Sequence, residues 1–374
     1  MRLSALAAAA FGLVIACNPG PGSVGDSTSP KPTVSPTALP KASPSASSGA
    51  PAPCAAPASS YGLIMSAGKL EMISATGCLG ASALVGVPSP HNCADGLPAV
   101  LAPPVSASGN RVYYRDGDTK IRFMTPRGVT GDATTVPGGP TTVSFFSVSP
   151  DDQRIAVVVE DLSATATIGL RLYVEDLSGG GHHADIYTAT IPRGQGGLTL
   201  WPMGWHSGRL VLAVVLACSA STVYRPSAWH VVDAATADRL ADIDVSNCYA
   251  SLLPSPGGVA CFDGPQLSVR VYDWAGKRTA TVVTSYEDLL HPPSVSPSGQ
   301  TFFFIGPIGS GEATSAMGVD GSPGLKSAAL DRRGCAWIDD SAILAPDAII
   351  AYPSGVVTPL PTGGECVGRF PGAL

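Results

Sequence analysis

The 374-residue chain is short of charge: Asp, Glu, Lys and Arg make up 13% of it, about half the usual share. Aromatic residues are only 6%. No C-x-x-C occurs, which removes zinc knuckles and thioredoxin-type redox chemistry. No G-x-S-x-G elbow, H-E-x-x-H zinc motif or P-loop is present. The nearest strings fail on spacing: Gly204-Trp205-His206-Ser207-Gly208 is no elbow, and Gly309-Ser310-Gly311 lacks a third glycine and a following helix. No cofactor is implied. The longest basic cluster is Arg332-Arg333, and acids outnumber bases, so no nucleic-acid footprint exists.

What is present begins at the N-terminus. Arg2 precedes an apolar run from Leu3 to Ile15, too short for a membrane span of about 20 residues but right for a secretory leader. The run ends in Val14-Ile15-Ala16-Cys17. That string resembles the processing signal of bacterial lipoproteins. The resemblance implies removal of residues 1–16, a diacylglycerol thioether on Cys17, and anchoring on the extracytoplasmic face of the cell membrane; stable anchoring takes two or more acyl chains.

Residues 17–59 read as a disordered tether. Between Asn18 and Ser59, ten residues are Pro and nine are Ser. Such a segment buries too little apolar surface to offset its ordering entropy. Stiffened toward polyproline II, it reaches at most roughly 130 Å at about 3.1 Å per residue. Removing Arg2 with the leader leaves 21 basic and 28 acidic side chains, a net charge of −7.

Residues 60–374 repeat. A turn precedes a strongly β-prone run at Tyr61-Gly62-Leu63, Gly109-Asn110-Arg111-Val112, Ser149-Pro150-Asp151-Asp152-Gln153-Arg154-Ile155 and Ser207-Gly208-Arg209-Leu210. It recurs at Ser255-Pro256-Gly257-Gly258-Val259, Ser296-Pro297-Ser298-Gly299-Gln300-Thr301-Phe302 and Asp339-Asp340-Ser341-Ala342-Ile343. Leu63, Val112, Ile155, Leu210, Val259, Phe302 and Ile343 mark the register, with spacings of 49, 43, 55, 49, 43 and 41. A second strand follows each copy, as in Lys120–Met124 or Ser268–Tyr272, and several of these alternate polar and apolar residues. A repeat of 40–50 residues with about four strands predicts an all-β fold, a single β-propeller of seven blades. The 55-residue interval leaves room for an insertion, so six or eight blades fit the same pattern. The Ser-Pro-Asp/Ser turn resembles those of TolB-like and WD40-like propellers, without the Trp-Asp dipeptide of the eukaryotic type.

An open ring leaves unpaired strand edges. The first register mark lies too close to the start of the domain for an innermost strand before it, so Cys366–Phe370 is expected to return and complete blade one. Outside Cys17 eight cysteines remain, an even number suited to disulfides beyond the cytoplasm. Cys335–Cys366 would cross the seam, Cys248–Cys261 would face across one hairpin, with Cys218 competing for either, and Cys78–Cys93 would close a local loop; Cys54 completes the set.

His182, His183 and Asp185 are the only metal-like cluster, but adjacent side chains in an extended segment point apart. Asp116-Gly117-Asp118 starts like a calcium loop and lacks its other ligands, which reads as a hairpin turn. The carboxylate pairs Asp151-Asp152, Glu287-Asp288 and Asp339-Asp340 are neighbours in sequence, whereas glycosidase carboxylates face each other across a pocket. The five tryptophans fall on or beside strands and suit packing between blades. The expectation is a membrane-anchored binding or scaffold module for an envelope protein, peptide or glycan. Its rival is a propeller enzyme, a lyase or glycoside hydrolase, with an axial site.

Overall fold

The computed structural model describes residues 51–92, 104–193, 196–218, 225–284, 289, 291–308, 311–325, 333–361 and 363–374. The leader, Cys17, the tether up to residue 50, Cys93 and the Glu287-Asp288 pair lie outside the described residues. The described chain is all strand and turn, arranged as seven antiparallel sheets.

Blade one holds β1 (Tyr61–Ser66), β2 (Lys69–Ser74) and β3 (Leu79–Leu84). Blade two is β4 (Val105–Ala107), β5 (Val112–Asp116), β6 (Lys120–Met124) and β7 (Thr130–Thr135). Blade three is β8 (Thr142–Val148), β9 (Arg154–Asp161), β10 (Thr167–Asp176) and β11 (Ala184–Pro192). Blade four is β12 (Leu198–His206), β13 (Arg209–Leu216), β14 (Ala228–Val232) and β15 (Arg239–Asp244). Blade five is β16 (Tyr249–Ala250), β17 (Val259–Asp263), β18 (Ser268–Tyr272) and β19 (Arg278–Val283). Blade six shows β20 (His291–Val295), β21 (Thr301–Ile308) and β22 (Gly311–Gly318). Blade seven is β23 (Ala336–Asp339), β24 (Ala342–Ala345), β25 (Ala348–Ala351) and β26 (Val357–Pro359), and β27 (Glu365–Phe370) returns to pair with β1. The chain is a seven-bladed β-propeller. All seven register marks fall on the second strand of a blade. The long interval between Ile155 and Leu210 comes from long strands, with β10 at 10 residues and both β11 and β12 at 9, not from an extra blade.

Burial peaks in the second strand of each blade, as in β5, β17 and β24, and is least in the outer strands. Second strands such as β9, whose Ile155 to Glu160 are all buried, read as unbroken apolar runs. Both faces of such a second strand meet a neighbouring blade, so no face is left for water. Outer strands such as β7, Thr-Gly-Asp-Ala-Thr-Thr, are partly exposed throughout and need no apolar face. The core is accordingly a ring of clusters between blades. One joins blades three, four and five around Trp201, Trp205 and Trp229, and another crosses the seam through Ile64, Ile338 and Leu344.

At the seam β27 is the innermost strand of blade one, with Tyr61 opposite Phe370 and Ile64 opposite Cys366. Cys335, just before β23, is bonded to Cys366, tying the last blade to the first. Arg369 donates from Nε and Nη2 to the Ile338 carbonyl, and Ser60 Oγ donates to Asp339 at 2.8 Å. Cys248 is bonded to Cys261. Cys218 is also disulfide-bonded and uses neither pair.

Two expectations need correction. Cys78 does not close a loop with Cys93; it is bonded to Cys54, with Cα atoms 5.0 Å apart. The folded domain also starts before residue 60. Pro53 bridges Leu79 in parallel, Cys54 N donates to Leu79 O, and Leu79 N donates to Ala52 O. Pro/Ser-rich composition does not prevent residues 51–59 from docking, because the disulfide holds them on the outer strand of blade one.

Blades five and six come closest at their repeat turns. A Cβ on Gly257 would strike the Ser296 carbonyl and the Gly299 backbone, neither of which can swing aside. Gly257→Ala is therefore expected to cost about 2 kcal/mol or more, read as a lower urea midpoint with an unchanged slope.

Candidate functional site

The carboxylate pairs Asp151-Asp152 and Asp339-Asp340 are latches between blades. Asp151 accepts a 2.6 Å bond from Ser149 Oγ, and that bond holds its carboxyl below the usual range. Asp152 turns outward and accepts from Tyr113 OH at 2.9 Å and Asn110 Nδ2 at 3.0 Å, both in blade two. Asp339 accepts from Ser341 N within its own turn, while Asp340 accepts from Ser298 N of blade six. One member of each pair thus caps its own turn while the other grips the neighbouring blade, and Asp339 also holds Ser60. Two tryptophans repeat the theme further in: Trp205 Nε1 donates to Ser147 O, and Trp337 Nε1 to Ser294 O, each in the preceding blade.

His182 and His183 do not converge. His182 Nδ1 lies 2.7 Å from Asp176, and that bond raises its pKa. His183 Nδ1 lies 2.7 Å from Glu175, with Asp185 3.4 Å from its other nitrogen. Among the described residues no group of three or more His, Cys, Asp or Glu is arranged to hold a metal ion. Asp116 and Asp118 are occupied too: they accept from Gly86 N and from Ser89 N and Oγ, fastening the segment after β3 to blade two.

Among the described residues the cavities at the axis are small. A cavity of about 60 Å³ is lined by Leu63, Val105, Ala107, Met203, Leu253 and Arg369, drawn from blades one, two, four and five, which meet only at the centre. A second, of about 30 Å³, lies beside Arg115, Phe145 and Phe146. Residues 371–374 cross the end that carries the repeat turns. Gly372 N donates to Ser108 O of blade two, and Leu374 N donates to Trp205 O of blade four. His206 Nδ1 lies 2.8 Å from Leu374 O, and a Cβ on Gly204 would strike the Leu374 side chain. Among the described residues, Arg369 and Arg115 carry the charged side chains on the walls of these two cavities.

The opposite end is different. Between blades four and five lies an open cleft of about 630 Å³, within the usual size of a ligand site. Leu198 and Leu216, paired in register at the ends of β12 and β13, are 45% and 48% exposed at its rim. Tyr249 and Phe262 pair across β16 and β17 and form a wall, with Leu289 beside them and Cys248 in the lining. The Arg225 guanidinium sits 4.1 Å over the Tyr249 ring. Burial pushes the Tyr249 hydroxyl pKa up. Among the described residues, Arg225 is the single formally charged one in the lining. No motif marks these residues. Their only trace in the sequence is a set of large apolar residues at strand ends, near Cys248.

The chain matches no protein-family model and no curated protein sequence. Its fold resembles solved structures at low identity. A protein from Lactobacillus plantarum is 16% identical, covering 83% of this chain and 97% of its own, with a TM-score of 0.45. An oligogalacturonate lyase in complex with manganese is 8% identical over 65% of this chain and 72% of its own, TM-score 0.42. A putative TolB from Agrobacterium tumefaciens is 16% identical over 63% of this chain and 77% of its own, TM-score 0.32. The blade count and ring closure rest on the strand order itself.

Proposed function

We propose that this chain is a lipid-anchored, extracytoplasmic propeller that binds an envelope partner without transforming it, and that the cleft between blades four and five receives that partner. The contrast between the two ends of the ring carries this reading: among the described residues the cavities at the axis measure about 60 and 30 Å³, while a concavity of about 630 Å³ opens at the rim. The cleft's chemistry suits a peptide segment with apolar side chains and one acidic group, set by Leu198, Leu216, Phe262 and Arg225. The Val14–Cys17 string and the Pro/Ser-rich stretch support the anchor, and the disulfides suit an oxidising compartment.

One experiment in intact cells tests both parts. A photocrosslinking amino acid at Leu216 is expected to give a reproducible partner adduct. The same probe at Val129, 59% exposed in blade two, is expected to give none. Arg225→Glu should reduce the adduct at least tenfold. In the same cells globomycin should accumulate precursor, and Cys17→Ala should release the protein from membranes. No adduct from Leu216 sinks the partner reading; membrane retention of Cys17→Ala sinks the anchor.

A further inference from the structure

Arg115 is the one arginine that is fully inside the protein among the described residues, at 5% exposure. Its Nη1 donates to the Ser144 carbonyl at 2.7 Å, and its Nε has no hydrogen-bond partner. Other arginines meet carboxylates near the surface: Arg122 with Asp132, Arg239 with Asp242 and Arg333 with Glu312. Arg115 meets only a carbonyl. The acid that acts on it from a distance, Asp118, spends its oxygens on Ser89. A guanidinium stays charged in proteins, and a buried charge without a counter-ion is costly.

The side chain borders an available space. Arg115 lines the axial cavity of about 30 Å³ together with Val105, Ser106, Phe145, Pro202 and Met203. Val105, Ser106 and Met203 also line the neighbouring cavity of about 60 Å³, where Arg369, itself bonded to a main-chain carbonyl, adds a second positive charge. Ser106 Oγ accepts from Val148 N, which leaves its own proton available to donate.

We propose that this axial cavity is a binding site for a small monocarboxylate, held by Arg115. The guanidinium fork matches the two oxygens of a planar carboxylate. A space of about 30 Å³ takes roughly two water-sized atoms, which is the carboxylate head. The adjoining cavity of about 60 Å³, which shares Val105 and Met203 with the first, takes a methyl or short alkyl tail. A tetrahedral phosphate is too large for this space, and chloride would use only one arm of the fork. The site is independent of the cleft between blades four and five.

Thermal unfolding and calorimetric titration of the oxidised full chain, with sodium acetate against sodium chloride and sodium phosphate at equal ionic strength, test the proposal. Wild type should show a saturable rise in Tm with acetate, at a Kd of about 0.1–10 mM, the range open to a ligand of so few atoms. Arg115→Met should weaken acetate at least tenfold. Val105→Phe, which fills the cavity and keeps Arg115, should do the same and carries the test if Arg115→Met does not fold. Chloride matching acetate in wild type, or either variant keeping the wild-type acetate response, overturns the proposal.

Discussion

Deletion of residues 365–374 is expected to abolish the folded ring. The loss removes β27, so the edge of β1 from Tyr61 to Met65 loses its partner and exposes unpaired main-chain groups. Val367 and Phe370 leave the cluster between blades one and two, and Cys366 leaves the seam cluster. The Cys335–Cys366 bond, closing 31 residues, goes as well, worth about 3–4 kcal/mol by loop entropy. Burial of a Val and a Phe adds about 3–6 kcal/mol, and together these terms rival the whole stability of a typical domain. The truncated chain should lack a cooperative unfolding transition and elute as aggregate. Cys335→Ala with Cys366→Ala keeps the strand and should remain a folded monomer, less stable by about 3–4 kcal/mol. A monomeric truncation with the wild-type Tm would falsify strand-mediated closure.

Glu160→Gln is expected to stabilise the protein at pH 8 and to do nothing near pH 4.5. Glu160 lies on β9 and faces β12 of blade four, where its carboxylate accepts a 2.5 Å bond from Thr199 Oγ1. Burial pushes its pKa from 4.5 up to about 7, opposed only by that bond. The folded state therefore keeps a proton that the unfolded chain releases above pH 4.5. As pH rises from about 4.5 to 7 the unfolded state is increasingly favoured, by about 3 kcal/mol in all, and the loss persists above pH 7. Glutamine accepts the same Thr199 bond and carries no charge. Other carboxylates, such as Asp151, have lowered pKa values and act at lower pH with the opposite slope, so the difference between variant and wild type isolates Glu160. Parallel stability curves for the two proteins from pH 5 to 8 would show that Glu160 does not titrate in this window.

The blade count was legible because its signals are local. Each blade repeats a turn and two β-prone runs, and the register marks needed only residues within about ten positions of one another. Ring closure was legible by exclusion, since no strand precedes Tyr61 in the repeat. The roles of Asp152 and Asp340 were half legible: their place on repeat turns is written in the sequence, but the grip on Tyr113, Asn110 and Ser298 spans 39 to 42 residues and depends on how adjacent blades face each other. Cys54 was hidden by its surroundings, because composition averages over a segment and a single covalent bond overrides the average.

Turn chemistry and strand period act over short stretches of chain, so the all-β ring, its strand order, its closing strand and the cysteines that tie the seam follow from the order of residues alone. What lies at the two ends of that ring emerges once the blades are packed. The crossing of residues 371–374, the buried charge of Arg115 and the open cleft around Arg225 each join parts of the chain from different blades. Which side chains are left buried without a partner, and which are left exposed together, is set by the curvature of the closed ring and by no local pattern.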